Sequence, residues 1–467
     1  MQLIKNILKD KSFLQKTFAI TVPIALQNLL SNLLNLVDTV MISSLGETAV
    51  AGVGLANKVF FVFSLLLFGI SSGSGVLASQ YFGRRELLNI RRVLKISLFI
   101  AVGGSLVFAA AGLFFPRLVM RIFTPSRQTI TLGALYLSVI AISYPLTAIT
   151  QSFVAILRSM HFVKLPVLIT SLAIAINIFL NYVFIFGHFG MPEMGVAGSA
   201  LATLIARLAE CSLLLLIVFR KKAGDGSIGD FIHAKYEKHI NKEPFLNRAF
   251  VSKYIHTASP VIANEFMWGL GITIYSLVYG RMGDSAVAAT TITGTIENLI
   301  LVFFFGLCNA AAVVLGNEMG ADRLDRAEEH ARHYMVMILM LTVVGAALTF
   351  AVKEPIIRLF GMAPAVNDYI RLCLTAFALC MPIRMTNALI IVAILRSGGD
   401  TRAALFLDVS SVWLIGIPMA VLGGLVWKFP VNIVYTMILA EEVYKLTLGY
   451  LRYRKKKWLR NIVSEEL

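Results

Sequence analysis

An internal repeat constrains the fold of this chain more than any other feature. Residues recur after 237 positions, as in the step from Pro23 to Pro260. Other pairs at that spacing are Gly46 and Gly283, Ala49-Val50-Ala51 and Ala286-Val287-Ala288, Phe68-Gly69 and Phe305-Gly306, Gly83 and Gly320, and Pro145 and Pro382. The string Ala155–Ser159 recurs as Ala393–Ser397, at a spacing one residue longer than that of the other pairs. So many matches at one spacing exclude coincidence and predict two copies of one structural unit.

The repeated unit is apolar enough to lie in a membrane. Hydrophobic residues make up 58% of the chain and charged residues 15%, and the mean hydropathy is +0.78, whereas soluble domains carry about 25% charged residues. The first apolar run, Phe18–Ile42, exceeds the roughly 20 residues that a membrane-spanning helix needs. It is too long for a cleavable signal peptide and lacks a small-residue cleavage site, so we expect it to insert uncleaved. Long apolar runs, rather than short alternating ones, predict an all-α polytopic membrane protein.

Twelve apolar segments are expected to span the membrane, six in each copy. They lie near residues 18–42, 55–80, 93–115, 131–157, 163–187, 196–219, 254–280, 291–316, 333–352, 368–395, 403–427 and 430–451. Because an even number of helices separates the copies, both have the same orientation, as two pseudo-symmetric six-helix bundles. The expected domains are an amino-terminal lobe, 1–219, a basic cytoplasmic linker, 220–253, and a carboxy-terminal lobe with a basic tail, 254–467.

The positive charge is distributed as in a membrane protein rather than a nucleic-acid-binding one. The formal net charge is +16, and most of the 42 Lys and Arg lie in alternate connections along the chain. This asymmetry predicts a multi-pass protein of the inner (cytoplasmic) membrane with both termini and the linker in the cytoplasm. The four cysteines lie in apolar segments without metal-ligand spacing, so packing is their expected role, with no metal site and no nucleic-acid partner.

The first segment carries a polar stripe that cannot face lipid cheaply. Asn28, Asn32 and Asn35 share one helical face at i, i+4 and i+7, Gln27 lies beside Asn28, and Asp38 lies at the edge of the face. Polar side chains at membrane depth are expected to face other helices or a water-filled cavity. We therefore interpret Gln27 and the three asparagines as candidates for lining a substrate cavity.

Asp38 is the leading ionisable candidate of the first half. A carboxylate at membrane depth can exchange a proton or bind a cation; the alternative is a solvated aspartate near the outer interface. Asn177 and Asn181 lie one turn apart in the fifth segment, where their amides can coordinate an ion or hydrogen-bond Asp38. Their alternative role is to hold helices together.

The second half offers a different set of charges. Glu265 lies midway along the seventh segment, beside Asn264 and shortly after Pro260, which removes a backbone hydrogen bond. Glu297 either lines the cavity or occupies the entry of the eighth helix as a favourable anion.

Arg384, in the tenth segment, requires a carboxylate partner at this depth. Asp408 and Glu265 are the partners we expect, in either a gating latch or a static pair. Arg207 with Glu210, and Glu441-Glu442 with Lys445, are spaced for ion pairs within helices.

No enzyme signature accompanies these groups. The seven histidines form no metal-ligand pattern, and no GxxxxGK[ST] phosphate loop is present. Two repeated bundles are the arrangement that an alternating-access transporter needs. Without a phosphate loop, such transport would run on an ion gradient and without a cofactor. The 31 Phe, 14 Tyr and 17 Met suit an adaptable apolar cavity for flat cations.

With these residues in view, the sequence resembles the MATE (multidrug and toxic compound extrusion) transporters over essentially its whole length, in particular the bacterial NorM/DinF-like members. The residues that carry the resemblance are Pro23, Gln27-Asn28, Asn35–Thr39, Gly46 and Ala49–Gly52, their echo in Pro260, Asn264-Glu265, Gly283 and Ala286–Ala288, and the Leu-Arg-Ser strings at 157–159 and 395–397, the second continuing as Gly398–Thr401. The resemblance implies twelve helices in two bundles and multidrug efflux in exchange for H⁺ or Na⁺.

Residue by residue, the resemblance assigns coupling roles. Asp38 matches the first-helix aspartate that looks like a cation or proton site, and Asn177 matches the asparagine beside it. Asn181 stands where several members have an aspartate. Glu265 looks like the seventh-helix glutamate of the NorM-like branch. The tenth-helix aspartate of that branch has no counterpart, so a sodium site built from two second-lobe carboxylates is not expected.

The sequence thus predicts a secondary antiporter that exports amphipathic, mostly cationic compounds by alternating access. Its expected partners are small organic cations, a monovalent cation or proton, and membrane lipid, and the expected state is a monomer. The alternative is a lipid-linked saccharide flippase, which should show several Arg or Lys facing the cavity. The coupling candidates are Asp38, Glu265, Asn177 and Asn181, and the cavity candidates are Gln27, Asn28, Asn32, Asn35, Asn264, Glu297, Arg384, Asn387 and Asp408.

Overall fold

The computed structural model describes residues 7, 9–220, 246–360 and 362–464, and every regular element among them is helical. The α-helices are α1 (Lys11–Ser43), α2 (Glu47–Gly83), α3 (Leu87–Phe114), α4 (Pro116–Phe123), α5 (Arg127–Ile140), α6 (Ser143–Ser159), α7 (Lys164–Phe186), α8 (Gly195–Arg220), α9 (Arg248–Met282), α10 (Asp284–Gly320), α11 (Leu324–Phe360), α12 (Pro364–Ala388), α13 (Thr401–Ser411), α14 (Ile417–Val421), α15 (Val431–Ile438) and α16 (Ala440–Arg454). Three π-helical stretches, Leu389–Leu395, Val412–Gly416 and Leu422–Val426, connect helices in the second half.

These helices confirm the predicted all-α polytopic class. Within the described residues, ten helices are long and apolar enough to cross a membrane, or eleven if α5 and α6 form one span. The twelfth predicted segment, 430–451, is helical but divides into α15 and α16 at Leu439, and α16 begins with Glu441 and Glu442. Those charges give its sequence a weaker membrane signature than the others have.

The fourth predicted segment, 131–157, is not one straight helix. It consists of α5 and α6, which meet at an angle of 50°. Pro145 has no N–H to donate to the carbonyl of Ala141, four residues earlier, and that oxygen accepts from the Tyr144 N–H at 3.2 Å instead. The repeat partner Pro382 lies inside the unbroken α12, so the two copies differ here.

The described residues group into two compact units. The first unit comprises Leu26–Ile262, and the second comprises the described residues of Met1–Ala25 and Ala263–Glu466. Each unit packs around its own core: Phe63 stacks on Tyr144 at 4.9 Å in the first, and Tyr275, Val278 and Val412 cluster in the second. Most of the predicted linker, 220–253, lies outside the described residues, so the predicted lobe boundaries remain predictions.

The basic tail folds onto the second unit. Trp458 is fully buried, and its backbone lies so close to Gly398 that a Cβ there would collide with the Trp458 carbonyl. Asn461 Nδ2 donates to the Gly320 carbonyl at 3.2 Å and to Asp322 Oδ1 at 2.6 Å. The tail therefore holds together the loops that follow α10 and α12.

Candidate functional site

The ionisable centre of the first unit lies between α1 and α7. Asn181 Nδ2 donates to Asp38 Oδ1 at 2.7 Å and to Asn177 Oδ1 at 3.0 Å. Asn177 and Asn181 are buried, whereas Asp38 is half-buried. The structure therefore shows the predicted hydrogen bond to Asp38 for Asn181, whereas Asn177 is linked to Asp38 only through Asn181.

Helix α8 fixes the orientation of this amide pair. Asn177 Nδ2 donates to Thr203 Oγ1 at 3.1 Å, and the Thr203 hydroxyl donates to the Ser199 carbonyl at 3.0 Å. With each donor assigned, Asn181 Oδ1 is left as a buried oxygen that accepts no hydrogen bond from the described residues. Buried polar atoms are nearly always paired, so this oxygen is available to accept from a water molecule or to contact a cation. The Asp38 carboxylate and this oxygen can hold a proton or a small monovalent cation.

The other amides of α1 differ from one another in their surroundings. Asn28 and Asn32 are half-buried and Asn35 is exposed, and their side chains make no hydrogen bond within the described part of the chain. Gln27 is buried and engaged: its Nε2 donates to Thr170 Oγ1 at 2.9 Å, and its Oε1 accepts from Arg158 at 2.6 Å. Gln27 thus belongs to the interior of the first unit, and the three asparagines remain free to meet a substrate.

The interior network of the first unit continues to α8. The Thr170 hydroxyl donates to Glu210 Oε1 at 2.8 Å, and Arg207 Nη1 pairs with Glu210 Oε2 at 2.8 Å. The predicted Arg207–Glu210 pair is confirmed. Arg207 also lies close enough for its charge to act on Asp38.

In the second unit, Glu265 lies against a cation that sequence reasoning missed. Arg396 Nη2 donates to Glu265 Oε1 at 2.9 Å, and the Arg396 side chain is only 2% exposed. The neighbouring amide, Asn264 Nδ2, donates to Asp408 Oδ2 at 3.0 Å. Both carboxylates that were expected to partner Arg384 therefore have other partners.

Lys445 is a second buried cation near these carboxylates. Its Nζ lies 3.0 Å from Asp408 Oδ1, 3.7 Å from Glu441 Oε1 and 3.9 Å from Glu442 Oε1. The predicted pairs within α16 are confirmed, but the shortest contact reaches across to α13. Lys445 thus neutralises Asp408.

Arg384 pairs with Glu297 at 2.9 Å and approaches Glu442 at 3.8 Å. The prediction of Asp408 or Glu265 as its partner was wrong, because Lys445 and Arg396 occupy those carboxylates. The helix-entry interpretation of Glu297 was also wrong, because α10 begins at Asp284 and Glu297 is buried several turns inside it. Tyr435 donates a short hydrogen bond to the same carboxylate.

Asn387 joins the same cluster through its amide nitrogen. Asn387 Nδ2 donates to Glu442 Oε2 at 2.9 Å and to the Glu442 carbonyl at 2.7 Å. The structure therefore brings together Arg384, Asn387, Glu297 and Asp408 in one charged interior.

The two units repeat one network with different chemistry. The Gln27–Thr170 hydrogen bond of the first unit corresponds to the Asn264–Asp408 hydrogen bond of the second. The repeat relates Gln27 to Asn264, Asn28 to Glu265, Arg158 to Arg396 and Thr170 to Asp408. At two of these positions the neutral Asn28 and Thr170 of the first copy stand where the second copy has the carboxylates Glu265 and Asp408.

Sequence reasoning missed Arg158, Arg396, Thr203 and the reach of Lys445 across to α13. The signal for the arginines was present, because Leu-Arg-Ser ends the matching segments of both halves. An arginine at the end of an apolar segment is usually solvated, which is why the strings were treated only as repeat markers. For Thr203 the sequence gives no comparable signal.

Two repeated helical units, each holding ionisable groups inside apolar helices, define a membrane transport architecture. A family model described as MatE matches residues 23–183 and again 260–422. The chain therefore belongs to the MATE family of membrane transporters, which are not enzymes and use no cofactor. Both matches start at the repeated proline, so the family model recognises each copy separately.

Relatives cover nearly the whole chain. The "Uncharacterized transporter YisQ" of Bacillus subtilis is 25% identical over 96% of this chain and 96% of its own length. The "Probable multidrug resistance protein NorM" of Thermotoga maritima is 24% identical over 94% of this chain and 91% of its own. A multidrug resistance MATE family transporter of the MOP superfamily, solved in an outward-facing conformation, matches with a TM-score of 0.83 at 17% identity, covering 94% of this chain and 95% of that chain. That likeness confirms the fold.

Proposed function

We propose that this protein is a secondary antiporter that exports amphipathic, mostly cationic organic compounds in exchange for H⁺ or Na⁺ by alternating access. The observation that carries the proposal is the half-buried Asp38 carboxylate, bonded at 2.7 Å to Asn181, whose second amide atom is an orphaned buried oxygen. The printed name of the Thermotoga maritima relative, a probable multidrug resistance protein, supports the substrate class.

Asp38 can exchange its ligand because it has no fixed cation. Its side chain is bonded to an amide, and Arg207 is paired with Glu210 at 2.8 Å rather than with Asp38. An aspartate in this setting can be neutralised by a proton, a sodium ion or a passing organic cation. Asn181 serves both states, since an amide donates to an ionised carboxylate and accepts from a protonated one. Asn177 and Thr203 hold the amide in place.

Glu265 is proposed as a second coupling residue, one that has to release Arg396 before it can bind a proton. Its carboxylate is bonded to the buried Arg396 at 2.9 Å, so an incoming proton has to displace a charge-assisted hydrogen bond. Asp38 meets no such competitor. We therefore expect the loss of Asp38 to affect transport more than the loss of Glu265.

The substrate contacts are proposed for α1. The Asn28, Asn32 and Asn35 amides are accessible and unengaged within the described residues, so they can hydrogen-bond a polar group of a passing compound. A flippase for anionic lipid-linked saccharides would need accessible unpaired cations. Instead, the interior cations of each unit are bound to partners, as in Arg158–Gln27, Arg207–Glu210 and Arg396–Glu265.

The proposed location is the inner (cytoplasmic) membrane with both termini in the cytoplasm. The asymmetry of Lys and Arg along the sequence supports this orientation. Accessibility of single cysteines placed at Lys9 and at Arg323, with the native cysteines replaced, would test it. Both positions should react only when the cytoplasmic side is opened to the reagent.

The test of function is export of a fluorescent organic cation from energised vesicles or cells, with an imposed pH gradient or an imposed Na⁺ gradient. Wild type is compared with Asp38→Asn and Glu265→Gln. One gradient should drive export, and Asp38→Asn should abolish it. Glu47→Gln is the control, because Glu47 is an exposed carboxylate at the start of α2.

Dye export under neither gradient, with both variants equal to wild type, would refute the antiporter proposal. Export that persists in Asp38→Asn but disappears in Glu265→Gln would move the coupling site to the second unit. Measuring the amount of each variant in the membrane separates loss of function from loss of protein.

A further inference from the structure

The charges inside the second unit do not balance. Three cations, Arg384, Arg396 and Lys445, form ion pairs within the described residues with five carboxylates, Glu265, Glu297, Asp408, Glu441 and Glu442. If every group were ionised, this interior would carry a formal charge of −2. An uncompensated charge away from water is costly, so a cation or a proton has to neutralise it.

The surplus negative charge lies on α16, at Glu441 and Glu442. Arg396 has Glu265 at 2.9 Å, and Arg384 has Glu297 at 2.9 Å. Lys445 faces all three of the remaining carboxylates, and it lies nearest to Asp408, at 3.0 Å. Glu441 and Glu442 are left with Lys445 at 3.7 and 3.9 Å and with Arg384 at 3.8 Å from Glu442. These adjacent carboxylates are the ones without a close cation.

The first unit shows that such a surplus is not required by the architecture. Its interior network holds two carboxylates, Asp38 and Glu210, and two cations, Arg158 and Arg207. Those charges balance. The imbalance therefore belongs to the chemistry of the second copy and not to the fold.

An orphaned atom marks the same place. Asn387 is 2% exposed and donates its Nδ2 to Glu442 at 2.9 Å, yet its Oδ1 has no hydrogen-bond partner among the described residues. An amide oxygen is the kind of acceptor that a protonated Glu442 needs. A rotation of the amide about its own bond would turn that oxygen toward Glu442, at the cost of the 2.7 Å hydrogen bond that Nδ2 donates to the Glu442 carbonyl.

We propose that Glu441 and Glu442 form a proton-binding site inside the second unit, in which one of the two carboxylates holds a proton while Lys445 neutralises Asp408. The proton adds to a carboxylate oxygen from water and returns to water, with no other bond changed. The site rests on the proposed ion-coupled function for its part in transport. Its existence follows from the charges alone.

Every element packed around the pair contributes to its charge. From α9, Tyr275 donates to Glu441 Oε2 at 2.6 Å, and Tyr279 is near enough to feel that charge. From α12, Arg384, Cys380 and Asn387 face Glu442, and from α13, Asp408 adds a negative charge on the far side of Lys445. Among the described residues, the cations that form ion pairs with Glu441 and Glu442 are Lys445 and Arg384, and each lies closer to another carboxylate.

A proton fits this site better than a sodium ion. The Lys445 ammonium already lies among the three carboxylates, within 4 Å of each, where a metal ion would have to be. A proton needs no such cage, and it can arrive by way of Asp408, whose side chain is 16% exposed. The described geometry thus selects the smaller ligand.

Infrared spectroscopy of the purified, reconstituted protein tests the site directly, because a protonated carboxyl group has a stretching band that an ionised one lacks. Wild type at neutral pH should show the band, and Glu442→Gln and Glu441→Gln should each lose it or shift it. Lys445→Met removes a compensating charge and should strengthen it. Glu318→Gln is the matched control: Glu318 is buried in the same unit but paired with the half-exposed Arg323 at 2.6 Å, so the band should be unchanged.

Because a protonated Asp38 would give a carboxyl band of its own, the spectra are compared in an Asp38→Asn background. In that background a spectrum without the band at neutral pH would overturn the proposal, and so would a band that survives the further Glu441→Gln/Glu442→Gln double substitution. Replacing the sodium in the buffer with potassium should leave the band unchanged; a band that disappears when sodium is added would show a metal site instead. The band is read without dye or gradient. A protein that shows it but exports nothing would support the site and refute the proposed transport.

Discussion

Removing Arg396 should strongly destabilise the second unit. The substitution Arg396→Met keeps an unbranched apolar stem but leaves Glu265 without the guanidinium that lies 2.9 Å away. Both side chains are at most one-tenth exposed, so water cannot replace the lost partner.

The expected loss of folding free energy follows from the burial of this ion pair. Breaking a buried ion pair by removing one partner costs about 3–5 kcal/mol, which lowers the folding equilibrium constant by about two to four orders of magnitude. Replacing both partners, in Arg396→Met/Glu265→Gln, should recover most of that loss, because no charge is left without a partner. The coupling between the two substitutions should therefore be large and favourable.

The assay is thermal unfolding of the purified protein in detergent, with the two single variants, the double variant and a surface control. Arg332→Met is the control, since Arg332 is 58% exposed and lies 3.3 Å from Glu328 in an i, i+4 pair. Exposed pairs of this kind contribute only about 0.3–0.5 kcal/mol.

The reasoning would be refuted by a single Arg396→Met variant as stable as Arg332→Met. It would also be refuted by a double variant that is less stable than either single one. In the first case Glu265 would not depend on Arg396, and in the second the pair would not be the interaction that was lost.

Three further substitutions test other parts of the molecule. Asn181→Leu removes the 2.7 Å hydrogen bond to Asp38. Because a hydrogen bond to a charged group contributes about 1.5–3 kcal/mol, dye export should fall by about ten- to a hundredfold. Unchanged export would contradict the proposed coupling site at Asp38. Gly398→Ala places a methyl group on the Trp458 carbonyl and should lower the melting temperature clearly, whereas Gly103→Ala, with open space around it, should not. Asp10→Ala removes the side chain that accepts from the Phe13 N–H at 3.0 Å and should cost about 0.5–2 kcal/mol, while Asp10→Asn keeps the cap.

The sequence predicted the parts of this molecule that depend on periodicity. Helical spacing placed Asn177 and Asn181 on one face, and the structure shows the Asn181 amide on Asp38. The repeat predicted matching segments, and the family model matches each copy. Such inferences succeed because a helix converts spacing along the chain into direction in space.

The partners of the second-unit charges could not be predicted in the same way. Arg384 had several carboxylates within plausible reach along the sequence, and only the packing of α10 against α12 selects Glu297. The π-helical stretches, such as Leu389–Leu395, carry no composition that distinguishes them from ordinary helix. The bend before Pro145 was predictable in principle, yet Pro382 shows that the same residue leaves a helix unbroken.

The repeated network has a consequence for protein engineering. Because Gln27, Asn28 and Thr170 hold in one copy the positions that Asn264, Glu265 and Asp408 hold in the other, the chain contains an uncharged counterpart of each of these two second-half carboxylates. Residues can be transplanted from one copy to the other in matched sets, together with their arginine, without inventing a new environment for them. A library of such exchanges would separate the residues that a MATE bundle needs for stability from those that it needs for transport, within a single polypeptide.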